Sequence, residues 1–197
     1  MRNLEKKLRA AIVQAAPVFF DKQATLQKVV HQIEEAGRNG AQLIVFPESL
    51  VPCYPYGLPF GFPVGSRSEA ERADWKRYYD QAVVVRQDLQ DVAAAAKAAG
   101  AYVSLGITER DETTYSLYCS NVILSPDGTL AAHHRKIKPT GQNAISGLIL
   151  MTRRRISPWS RRRGGPWARH LLGKLYAPGP DGALPERRQP LFGTEYQ

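Results

Sequence analysis

Apolar residues recur along the first two thirds of the chain in two periods, and the switches between them mark out secondary structure. Residues 9–16 (RAAIVQAA) are a nearly unbroken apolar run, as in a strand covered on both faces. Asp21 then offers a carboxylate to cap a helix. Leu26, Val29, Val30 and Ile33 stand at i, i+3, i+4 and i+7, the stripe of an amphipathic helix that Gly37 and Gly40 bring to an end. Leu43–Phe46 is a second short apolar run and predicts another buried strand. Residues 51–66 concentrate proline, glycine and aromatic side chains and read as loop. The Ala-rich run Asp88–Ala99, with Leu89, Val92 and Ala96 on one side and Gly100 behind it, predicts a second helix. Further strands are predicted at Tyr102–Thr108, Leu117–Leu124 and Thr129–Arg135, the last two joined by the turn Ser125-Pro126-Asp127-Gly128. Apolar strands alternating with helices predict an α/β layered domain without internal repeats.

After Thr140 this patterning stops. Arg153-Arg154-Arg155 and Arg161-Arg162-Arg163 flank Pro158 and Trp159, and residues 141–197 hold 6 of the 14 prolines and 8 of the 16 glycines. Such composition without a period predicts a disordered or weakly packed segment, so the chain divides into 1–140 and 141–197. Charge follows the same division: of the net +9, residues 1–140 carry +2 and residues 141–197 carry +7. The basicity belongs to one segment, which removes the case for nucleic-acid binding by the chain as a whole.

Two cysteines, Cys53 and Cys119, are too few for a disulfide framework and form no CxxC pair for zinc. That usage points to a reducing, cytoplasmic setting. Lys6, Lys7 and Arg9 ahead of Ala10–Phe20 imitate a signal peptide, but Gln14 and Pro17 interrupt the run, and a first strand is the expected outcome. No stretch reaches the ~20 apolar residues of a membrane span.

Within residues 1–140 a few side chains stand where chemistry could be done. Glu48 follows a buried strand at the entrance to a loop; partial burial there would raise its pKa and make it a general base near neutrality. Its plain alternative is a surface or capping glutamate. Lys136, at a strand end, could stabilise an oxyanion or tetrahedral intermediate, or simply be a solvated basic residue. Lys138 shares its face if the strand continues. Cys119 lies inside a strand, where a buried small hydrophobe is the expected role. Cys53 lies in the loop, five residues from Glu48. His133 and His134 are adjacent on a strand and point to opposite faces, which argues against a shared metal ion.

The segments AQLIVFPESLVPCYP (41–55) and HHRKIKPT (133–140) resemble the first two active-site blocks of the nitrilase, or carbon–nitrogen hydrolase, superfamily. GITERD (106–111) and LYCSNVILSPDG (117–128) look like the same family and fall in the expected order. The resemblance covers about residues 8–140. It implies the N-terminal half of a four-layer αββα sandwich and a Glu–Lys–Cys triad, with Glu48 as base and Lys136 as triad lysine. Lys138 and Tyr54 would take supporting or pocket positions. The loop at 52–63 that holds Tyr54 helps to shape a pocket, or else its aromatics are core or a subunit contact. The thiolate of such a triad attacks the C–N carbon, and no metal or organic cofactor is needed. KPT after HRKI and the loop YPYGLPFGFP favour nitrilases, acting on a small nitrile, over amidases and carbamoylases. Family members commonly form homo-oligomers. One departure is Cys53, where many relatives carry glycine.

The resemblance also implies a third block holding the nucleophile, and no cysteine follows Lys136. Synonymous codons for His170–Gln197, read one base out of register, permit a string that carries CWE, the family's nucleophile elbow. Gln142–Ala144 in another offset permit AER, the family's expected successor to KPTG. Two single-base losses, near Gly141 and near His170, account for both, and make residues 141–197 a frameshifted, non-native tail. The competing expectation is a pseudoenzyme whose tail binds nucleic acid through its arginines, with Trp159, Trp167 and Tyr176 stacking on bases.

Overall fold

The computed structural model describes residues 8–66 and 68–136. Tail 141–197 and Lys138 lie outside the described residues. The described part is built on one five-stranded sheet in the order β1-β2-β3-β4-β5 (Ala10–Ile12, Leu43–Val45, Tyr102–Arg110, Leu117–Leu124, Leu130–Arg135). β1, β2 and β3 run parallel; β3, β4 and β5 run antiparallel. The first strand is shorter than the apolar run predicts, because only three of its residues pair with β2.

Helix α1 (Lys22–Arg38) begins where Asp21 accepts a hydrogen bond from the Ala24 amide at 2.8 Å. Its stripe of Leu26, Val29 and Ile33 is buried against the sheet, each side chain contributing about 1.5–3 kcal/mol. Gly37 lies inside the helix rather than beyond it. A side chain there would come within 2.7 Å of the Ala99 Cβ, so glycine permits the close approach of α1 to the helix that ends at Ala99. The predicted helix at 88–99 is two: α3 (Val85–Asp88) and α4 (Gln90–Ala99), broken at Leu89, whose side chain is buried in the core. Gly100 ends α4 in the left-handed conformation, φ 61°.

One helix is not signalled by the apolar stripe. α2 (Glu69–Asp80) starts at Ser68, whose hydroxyl accepts from the Glu71 amide at 3.3 Å, the S-x-x-E pattern of a capped N-terminus. Trp75 and Tyr78 of α2 pack edge-on and tilted against Phe60 and Phe62 of the preceding loop. The Tyr78 hydroxyl shares a 2.7 Å hydrogen bond with Thr108 of β3. The aromatic loop is therefore partly core, with Phe60 buried while Tyr54 and Tyr56 face outward.

The two sheet faces differ. Ile44, Val103, Leu105, Ile107, Val122 and Leu124 form one face and pack under α1 and α4. On the other, the row Ile12, Val45, Ser104, Ile123 and Ala132 is less deeply buried, and Ile12 is 85% exposed. Toward the C-terminal end of β3 this second face carries Thr108, Cys119 and Leu117, which meet the aromatic cluster around Tyr78. Among the described residues there is one sheet with a layer of helices over its core face, which is half of a four-layer sandwich.

Candidate active site

Glu48 is placed by an irregularity in the parallel pairing of β2 with β3. The Phe46 amide donates to the Ser104 carbonyl at 2.8 Å, and the next bond to β3 is from the Leu50 amide to Gly106 at 3.0 Å. Four residues on one side thus span two on the other. Pro47 has no amide to give, and the surplus backbone bulges over β3. Gly106 lies directly beneath: a Cβ there would press on the Pro47 carbonyl and sit 2.6 Å from the Glu48 Cα. Ser49 closes the bulge with φ 49°, a conformation that non-glycine residues hold only when their surroundings enforce it. Its side chain is buried against the sheet.

Lys136 arrives from the far side of the sheet. Its amide donates to the Cys119 carbonyl at 2.8 Å, continuing the β4–β5 ladder by one residue. That register sends Lys136 to the same face as Cys119, and its Nζ meets Glu48 Oε1 at 2.7 Å. The Cys119 thiol donates to the same oxygen at 3.0 Å, and the Ser49 hydroxyl donates to Cys119 Sγ at 3.6 Å. Residues 48, 119 and 136 are brought together from three separate stretches of chain.

The electrostatics correct one expectation. Glu48 is not a carboxylate raised by burial. The hydrogen bonds from Cys119 and Lys136 hold its pKa below the ordinary value, outweighing the opposite pull of partial burial, and its side chain is half exposed. Lys136 is raised in turn, chiefly by its hydrogen bond to Glu48, with Tyr54 near enough to add to the effect. Tyr54 is half exposed beside this pair. Burial and the neighbouring Glu48 push the Cys119 thiol up to about 11, so it is a proton donor at neutral pH rather than a thiolate. Cys119 is buried as expected, yet it is a polar contact of Glu48 and not only a hydrophobe. Cys53 is buried in the aromatic cluster, where desolvation also raises its thiol.

A second polar cluster lies on the opposite face, around Glu109. His133 Nε2 lies 2.7 Å from its Oε2, and Ser120 donates to that oxygen at 2.5 Å. Arg135 donates to both oxygens and reaches Asp111 at 2.5 Å, its guanidinium stacked 4.0 Å over Tyr118. Arg135 and Lys136 are consecutive, so this buried ion pair fixes the strand end from which the lysine projects. A glutamate ending a strand does not disclose such partners in sequence.

The family model for Carbon-nitrogen hydrolase matches residues 9–166. The aliphatic nitrilase of Sinorhizobium fredii (strain HH103) is 43% identical over 136 residues, covering 68% of this chain and 43% of the nitrilase. Nitrilase 2 of Arabidopsis thaliana is 38% identical over 134 residues, covering 68% and 39%. Among solved structures, a mutant of the amidase from Nesterenkonia sp. AN1 superposes with a TM-score of 0.51 at 15% identity, covering 75% of this chain and 51% of the amidase. That likeness speaks to the fold. The chain spans about two fifths of the length of the curated relatives it matches. A match over most of its residues, carried by a sheet that sets Glu48 against Lys136, makes this chain a member of the carbon–nitrogen hydrolase family.

Proposed function

We propose that residues 8–136 carry the base-and-lysine half of a nitrile-hydrolysing centre whose nucleophile is not encoded in this chain. The observation that carries the reading is the 2.7 Å pairing of Glu48 with Lys136, in a chain similar in sequence to nitrilases. In the complete centre a thiol would add across the nitrile, its proton passing to Glu48 and on to nitrogen. Lys136 would hold the negative charge that develops, and water would release ammonia and the carboxylic acid. Glu48, kept ionised by its donors, is in the right form to take a proton over the neutral range. Lys138 and Tyr54 are assigned supporting roles, and no metal or organic cofactor has a part in the steps. The partner is a small nitrile, with no role for nucleic acid or membrane.

Among the described residues, the thiol nearest the pair is that of Cys119, buried in the sheet and protonated. We assign the nucleophile block to the reading frame lost near Gly141 and His170, and take the 197-residue chain to be inactive. Restoring one base at each point gives the test. The restored protein is expected to turn an aliphatic nitrile into carboxylate and ammonia. Hydrolysis of amides alone would replace the reading with an amidase or carbamoylase. An intact gene encoding this same C-terminal sequence would remove the frame argument.

A further inference from the structure

We propose that Cys119 is a positioning residue: its thiol and Lys136 together pin one oxygen of Glu48, which leaves the other oxygen to receive the proton. The inference rests on the reading of Glu48 as base and adds how that base is aimed. Both donors end on Oε1, Lys136 Nζ at 2.7 Å and Cys119 Sγ at 3.0 Å. Among the described residues no hydrogen bond ends on Oε2. A carboxylate held from two sides through one oxygen cannot swing about its last bond without breaking a charge-assisted contact, so Oε2 keeps one direction.

The thiol is itself held. Cys119 is 7% exposed, fixed in β4 between Tyr118 and Ser120, with its carbonyl engaged by the Lys136 amide. Ser49, 3% exposed and in its left-handed turn, turns its hydroxyl onto the sulfur at 3.6 Å. The sulfur thus accepts from Ser49 and donates to Glu48, a short chain running from the buried bulge to the exposed carboxylate. Serine, hydroxyl for thiol, would preserve this donor; alanine would remove it. A cysteine that only filled space would have no reason to sit where a thiol proton meets the carboxylate.

The test is a pH titration of the Glu48 carboxyl by carbon-13 NMR on the full chain, its resonance assigned by its loss in Glu48→Gln. The groups facing that carboxyl are Lys136 and Cys119, both raised and therefore protonated across the acid range scanned, with Tyr54 close to Lys136. In Cys119→Ala the midpoint is expected to move up, and in Cys119→Ser to stay at the wild-type position. A folded Cys119→Ala protein, judged by its thermal melt, with an unmoved Glu48 midpoint would overturn the proposal. If Cys119→Ala does not fold, the reciprocal measurement decides. Glu48 is half exposed, so Glu48→Gln is tolerated, and it is expected to lower the pH at which the Cys119 Cβ resonance titrates. No change there would equally overturn it. Neither readout depends on turnover, so a failed hydrolase reading and a failed positioning role give separate results.

Discussion

Glu109→Ala is expected to destabilise the described domain by about 3 kcal/mol, toward the lower end of the cost of breaking a buried ion pair from one side. The carboxylate is 3% exposed and holds Arg135, His133 and Ser120 at once. Removing it leaves a largely buried guanidinium that keeps Asp111 and the Tyr118 ring, which is why the cost is not greater. Glu109→Gln should lose less, because an amide oxygen still accepts from Ser120 or Arg135. Chemical denaturation of the three proteins at neutral pH measures the difference. The same cluster sets an acid limb. Burial pushes Glu109 up, but the hydrogen bonds of His133 and Arg135 more than reverse this and bring it from 4.5 down to about 2. A carboxylate depressed in the folded state stabilises that state above its unfolded pKa. The contribution, on the order of 3 kcal/mol, is therefore present above about pH 5 and is lost as pH falls toward 2. Glu109→Ala should flatten this part of the stability profile; a profile that matches wild type between pH 5 and 2 would contradict the assignment.

Gly106→Ala is expected to cost roughly 3 kcal/mol, the upper end for overpacking, and to lower the melting temperature by roughly 10 °C. The added methyl would meet backbone, the Pro47 carbonyl and the Glu48 Cα at 2.6 Å, and neither can rotate away as a flexible side chain could. The bulge would have to lift from β3, breaking the Leu50–Gly106 hydrogen bond and drawing Glu48 away from Lys136. Glycine inside a strand signals such a close approach. An unchanged melt, with the Lys136–Glu48 contact intact, would show that the bulge is not seated on Gly106 as described.

The parts of the fold that were legible are those whose signals are local. The spacing of Leu26, Val29 and Ile33 and the cap at Asp21 announced α1, and the turn at 125–128 announced the β4–β5 hairpin. Helix α2 carries little apolar signal in sequence: Tyr78 is its one buried residue, and its anchors are aromatic contacts with a loop. Its start was still readable in Ser68 and Glu71. The split at Leu89 follows from Asp88, whose carboxylate accepts from the Val84 amide at 2.7 Å and from Lys22 at 2.8 Å, closing a turn that a single long helix would not need.

The site divides in the same way. Residue types and family blocks brought out Glu48 and Lys136, which the sheet joins across 88 positions of sequence. The direction of the Glu48 shift was not legible, since it depends on two donors contributed by β4 and the end of β5. The contact of Cys119 with Glu48 spans 71 positions and leaves no mark in the alternation of β4. What sequence supplied was the cast of side chains; which atoms meet is set by a bulge and a register.

The most direct measurement is ammonia release from an aliphatic nitrile by the purified 197-residue protein, run beside its Glu48→Gln variant. The expected result is that the two are indistinguishable from each other and from buffer, because a base and an ammonium without a reachable thiolate do not open the C–N triple bond. Ammonia release by the chain that Glu48→Gln abolishes would contradict the account, since it would mean that the pair already has its nucleophile.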